Sequence, residues 1–135
     1  MKTIHVSLSV ENLDASIGYY GALFGRGPDV IKPGFAKWWL DDPKLNFALN
    51  ENAAAIGLHH LGIQADQQQE LETLYDNAKE AGSFAEEGDT TCCYARSEKG
   101  WSHDPQNIAW ELFLTRERIH DQIDMTPTER ITPCC

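Results

Sequence analysis

The chain has 135 residues, with 21 Asp+Glu against 11 Lys+Arg and a formal net charge of −10. That size builds one domain, or two small halves sharing a core, and an acidic chain without a basic stretch excludes nucleic acid and anionic membranes as partners. A hydrophobic share of 41% excludes disorder, the short apolar runs exclude a transmembrane helix, and a start at Met1-Lys2-Thr3-Ile4-His5 without an apolar leader sets the expectation of a cytoplasmic protein.

Residues 4–10, Ile-His-Val-Ser-Leu-Ser-Val, alternate apolar and polar as a half-buried strand does. Asn12 is the expected N-cap of a helix with Leu13, Ile17, Tyr20 and Phe24 on one face and a stop at Gly25 and Gly27. Phe35–Leu40, a turn at Asp41-Asp42-Pro43 and Leu45–Leu49 read as a hairpin, and Asn50–Ala55 as a linker. The pattern then restarts: a strand at Leu58–Ala65, then a helix capped by Asp66 and running to about Ala81, with Leu71, Leu74, Tyr75 and Ala78 buried. Three short strands follow, at about 84–87, Cys92–Ser97 and Ile108–Thr115. Residues 116–135 are expected to form a helical turn and then an arm.

An offset of 55 residues lays the second half on the first, placing His5 on His60, Leu8 on Ile63 and Tyr20 on Tyr75. The order strand-helix-strand-strand-strand, twice over, predicts an α+β fold of two βαβββ modules, about 3–50 and 56–115, that share one cavity. The order of elements leaves both pairing within one chain and pairing across a homodimer open.

Strand parity selects the chemistry. Val6, Leu8 and Val10 share a face, so His5 points to the other; His60 likewise faces away from Leu61, Ile63 and Ala65, while His59 falls on the Leu61 side. Glu111 stands opposite Trp110, Leu112 and Leu114. Two histidines at equivalent repeat positions and one carboxylate form a ligand set for a divalent metal, with Fe(II) the best match. Taken singly, each has an ordinary structural explanation; together, related by the repeat, they point to a metal site.

The four cysteines form two adjacent pairs, Cys92-Cys93 and Cys134-Cys135. Neighbouring cysteines close no useful loop, so a disulfide framework is a poor explanation. Reduced, they suit a soft metal or metalloid or redox chemistry, or else are small buried hydrophobes. Consecutive residues of a regular strand face opposite ways, so a pair that grips one atom belongs at a strand start, a bulge or a loop. Cys134-Cys135 are either accessory thiols on an acidic arm or part of a tail with no role.

These modules, with a ligand in the first strand, a mid-chain His and a late Glu after the turn Asp104-Pro105, resemble the vicinal oxygen chelate superfamily of glyoxalases, bleomycin resistance proteins and extradiol dioxygenases. The resemblance covers about residues 3–115, implies a single glyoxalase-like domain over 1–115, and puts the metal ligands on His5, His60 and Glu111. Asn12-Leu-Asp-Ala-Ser-Ile-Gly-Tyr-Tyr, Lys32-Pro-Gly-Phe-Ala, His60-Leu-Gly and Thr90-Thr-Cys-Cys-Tyr-Ala are similar to the branch of arsenic–carbon lyases and cadmium-induced proteins. That branch implies Fe(II), dioxygen and a trivalent organoarsenical, held by Cys92 and Cys93. Two departures stand out: His5, where the branch often carries Gln, and Arg96-Ser-Glu-Lys-Gly-Trp, where it usually carries Gln-Asp-Lys-Val-Trp. Two other functions use the same residues: a metalloenzyme of this scaffold with a different substrate, and a non-enzymatic protein that binds cadmium or arsenite through its thiols.

Overall fold

In the computed structural model, which describes residues 1–92 and 95–118, two α-helices pack on one face of a mixed eight-stranded sheet. The elements are β1 (Thr3–Val10), α1 (Leu13–Phe24), β2 (Val30–Lys32), β3 (Phe35–Asp41), β4 (Lys44–Glu51), β5 (Gly57–Ala65), α2 (Gln68–Glu80), β6 (Ala85–Cys92), β7 (Ala95–His103) and β8 (Ala109–Arg118). The strand order β2-β3-β4-β1-β5-β8-β7-β6 is the same unit written twice. β1 pairs in parallel with β4 and β5 with β8, while the antiparallel β1–β5 seam joins the modules within one chain.

The helices form where expected. The Asn12 side chain accepts from the Ala15 N–H at 2.9 Å, and Gly25 ends α1 in the left-handed region at φ 76°. α1 lies over Trp38, Leu40, Phe47 and Leu49, with Ile17, Tyr20 and Phe24 packed into that cluster. α2 buries Leu71, Leu74, Tyr75 and Ala78 against Ala65, Leu112 and Leu114. Each of those leucines contributes roughly 2 kcal/mol of burial.

Several boundaries depart from the sequence reading. α2 is capped by Gln67, not Asp66, because the Asp66 carboxylate takes the N-terminal ammonium at 2.8 Å. Glu70 Oε1 instead accepts from the N–H groups of Asp66 and Gln67. β2 is an additional three-residue strand at the sheet edge. β6 runs on to Cys92, so that residue closes β6 rather than opening β7. β8 continues through Arg118, with the Arg116 guanidinium held by Glu98 at 2.6 Å and Gln68 at 3.0 Å, so residues 116–118 are strand and not a helical turn. The expected arm beyond them, with Cys134 and Cys135, lies outside the described residues.

The sheet face turned away from the helices carries Thr3, His5, Ser7, Ser9, Lys37, Asn46, His60, Ser97, Lys99 and Glu111, all buried. Burying so many polar groups is costly unless they serve one another or a ligand.

Candidate metal centre

Strand register assembles the site. One cross-strand row runs Trp39–Asn46–His5–Gly62–Glu111–Trp101 over six adjacent strands. His60 stands in the next row, opposite Ser7. Glu111 reaches its place through the β7–β8 turn, where Asp104 Oδ1 accepts from the N–H groups of Gln106 at 2.9 Å and Ile108 at 2.8 Å.

The three ligand residues expected from parity come together. One donor atom from each of His5, His60 and Glu111 lies within 4.8 Å of the others, and all three side chains are buried. His5 Nε2 is 3.1 Å from His60 Nε2, which is 3.8 Å from Glu111 Oε2. Phe113 sets its ring edge-on to His5 at 5.4 Å, and Trp101 does the same to His60 at 5.2 Å.

Hydrogen bonds decide which nitrogen of His5 is free. His5 Nδ1 lies 3.0 Å from the Asn46 carbonyl oxygen and 3.1 Å from Asn46 Oδ1, both acceptors. Nδ1 therefore carries the proton, and Nε2 presents its lone pair to the centre. Asn46 Nδ2 donates to Gln64 Oε1 at 3.1 Å, which sets the amide orientation. A polar groove lined by Thr3, Trp39, Lys44, Asn46, Gln64 and Asp66 lies beyond this network, and none of the three ligand residues lines it.

The electrostatics suit neutral imidazoles. Burial, then Lys37 and His60, pushes the His5 pKa well below the ordinary histidine value. Burial, then His59, Lys99 and Lys37, lowers that of His60 to about 3. Burial raises Glu111, opposed chiefly by Lys99, whose Nζ donates to Glu111 Oε2 at 3.1 Å. Lys99 and Lys37 are 2% and 4% exposed, so both amines belong to this closed polar layer.

Sequence parity missed part of the centre. Lys37, Asn46 and Lys99 lie on the same buried sheet face as His5, His60 and Glu111, but a polar strand residue carries no local signal of burial. His59 was expected on the side of Leu61; instead its Nδ1 lies 2.7 Å from His60 Nδ1. A register shift in the β1–β5 seam is the cause: Ser7 pairs with His60 and Leu8 with Leu58, leaving His59 as an extra residue.

Of the expected thiols, the backbone of Cys92 closes β6 in register with Ala95. Cys93 lies outside the described residues.

The donor set is a sound fit for a divalent cation. It offers two neutral imidazole nitrogens and one carboxylate oxygen, of which the His5 nitrogen is fixed from behind by hydrogen bonds.

Comparisons with known proteins agree with this architecture. Residues 2–112 match the model of the Glyoxalase/Bleomycin resistance protein/Dioxygenase superfamily. The chain is 39% identical to the trivalent organoarsenical cleaving enzyme of Bacillus sp. (strain MD1), over 100% of this chain and 83% of that protein. It is 35% identical to the cadmium-induced protein CadI of Mycobacterium bovis, over 84% of this chain and 76% of the other. Among solved structures, a glyoxalase/bleomycin resistance protein/dioxygenase superfamily member from Vibrio splendidus superimposes with a TM-score of 0.57 at 16% identity, covering 84% of this chain and 99% of that one. Streptomyces coelicolor methylmalonyl-CoA epimerase gives 0.57 at 15% identity, covering 83% and 95%; at such identities the likeness concerns the fold alone. The chain therefore belongs to the glyoxalase/bleomycin resistance/dioxygenase superfamily, in the branch that contains the organoarsenical cleaving enzymes and the cadmium-induced proteins.

Proposed function

We propose that the protein is a non-haem Fe(II) enzyme that uses dioxygen to cleave the carbon–arsenic bond of trivalent organoarsenicals. The observation that carries this reading is the convergence of His5, His60 and Glu111 in a chain whose full length aligns with an organoarsenical cleaving enzyme. These three residues hold the metal, which when bound supplies the activation of dioxygen. The functional unit spans the two modules, and all three ligands come from one chain.

The remaining work falls to the protein's own groups. Asn46 holds His5 in the ligating tautomer, and Lys99 favours the ionised form of Glu111 against the cost of burial. Cys92 and Cys93 bind the arsenic as thiolates, because trivalent arsenic is soft and thiolate is its natural donor. The register sets a condition on that role. Cys92 pairs with Ala95, six residues along β7 from Trp101, the partner of Glu111. Six residues of strand span about 20 Å, so substrate capture requires a strongly curled β6–β7 hairpin. The register shifts at Glu86/Gly88 and Arg96/Ser97, with Gly88 at φ 81°, are the points where that hairpin would have to bend.

Binding of cadmium or arsenite without turnover is the competing reading, favoured by the relative named as a cadmium-induced protein. Anaerobic loading with Fe(II), followed by methylarsenite and air, separates the two. Inorganic arsenite should accumulate above a metal-free control and disappear in His60→Ala. No arsenite above that control overturns the lyase reading; tight cadmium binding that His60→Ala leaves unchanged establishes the alternative.

A further inference from the structure

β5 carries one residue more than its partner strand can match, and that residue is His59. In a regular strand its side chain would join Leu61 on the helix side. The bulge swings the ring back toward His60 instead, with the two Nδ1 atoms 2.7 Å apart and the rings nearly perpendicular at 5.0 Å between centroids. His59 is solvent-exposed, so core packing does not account for its placement. The contact is made at the nitrogen of His60 that faces away from the centre; the other, Nε2, meets His5 and Glu111.

We propose that His59 is a positioning residue that accepts a hydrogen bond from His60 Nδ1 and thereby holds His60 with a bare Nε2 aimed at the metal. The proposal rests on the reading of His5, His60 and Glu111 as a metal centre. An imidazole that ligates through Nε2 keeps its proton on Nδ1, and at 2.7 Å one proton lies between the two Nδ1 atoms. With His60 as donor, His59 keeps its own proton on Nε2. The two ligands are then gripped alike from behind, His5 by the oxygens of Asn46 and His60 by the nitrogen of His59. Partners of this kind orient a ligand and raise its basicity, and their loss typically weakens metal binding about 10–100-fold.

The test uses Co(II) as the probe, with the full chain and three variants. His59→Phe keeps a ring but offers no acceptor, His59→Ala removes the ring, and His59→Asn restores an acceptor oxygen at the same distance from the backbone. The wild-type protein should bind Co(II) and show two hyperfine-shifted, slowly exchanging imidazole N–H resonances. His59→Phe and His59→Ala should lose one of them and bind Co(II) about tenfold or more weakly, while His59→Asn keeps both. His59→Phe with both resonances and wild-type affinity overturns the role of His59 and leaves the metal centre standing. A wild-type chain that binds no Co(II) overturns the metal reading itself, and this proposal with it.

Discussion

A methyl group added at Gly62 would stand 2.8 Å from the Glu111 carbonyl oxygen and 3.1 Å from His5 Cδ2. Backbone cannot yield there cheaply, because Gly62, on the strand that carries His60, sits between the strands of His5 and Glu111 in the row that builds the site. Gly62→Ala should therefore destabilise the fold by about 1–3 kcal/mol and weaken Co(II) binding by more than tenfold; calorimetry reads both. Lys99 raises a second question of single residues. Lys99→Met leaves the Glu111 carboxyl buried without its cation and pushes its pKa further up. Metal binding in this variant should fail at a higher pH than in the wild type, a shift that titration of Co(II) affinity against pH detects. Identical pH profiles would mean that Lys99 does not control Glu111. The shared face of His5, His60 and Glu111 was readable from sequence, because Val6 and Leu8, Leu61 and Ile63, and Leu112 and Leu114 announce which side of each strand is apolar. Lys37 and Lys99 were not, since a strand lysine looks the same whether solvated or sealed.

Among the elements, the turn that delivers Glu111 is held by its own backbone hydrogen bonds and by one carboxylate. Asp104 Oδ1 satisfies two backbone N–H groups, those of Gln106 and Ile108. Asp104→Ala should cost about 1–3 kcal/mol and lower the unfolding midpoint; an unchanged midpoint would show that the turn holds without it. The helices were predictable because their signals are local: Asn12 as cap and the buried stripe from Leu71 to Ala78. β6 was harder to read, since an edge strand with one neighbour can carry Glu86-Glu87-Gly88-Asp89 without an apolar pattern. The bulge at His59 was unreadable for another reason. Register is a property of two strands together, and neither strand alone reveals the extra residue.

For the chain as a whole, the buried histidines couple stability to pH. Both imidazoles take up a proton far less readily in the folded chain than at the ordinary value of 6.5. Between about 6.5 and about 3 the unfolded chain therefore holds the extra protons, and stability falls as pH is lowered through that window. Glu111, raised by burial, has the opposite sign, but two imidazoles outweigh one carboxyl. Chelator-treated protein should thus show a falling unfolding midpoint from about pH 6.5 to about pH 5, where a flat profile would contradict the buried, neutral state of the pair. Metal binding adds to folded-state stability by mass action, so Co(II) should raise the midpoint of the wild type and not of Glu111→Ala.

The proposed reaction needs both the metal-binding residues and the thiols, and product analysis tests both together. Fe(II)-loaded wild type, His60→Ala and the double variant Cys92→Ser/Cys93→Ser are each given methylarsenite and air, and inorganic arsenite is measured over time. Arsenite should form with the wild type alone. Equal arsenite from all three proteins, or none from the wild type, would contradict the proposed reaction.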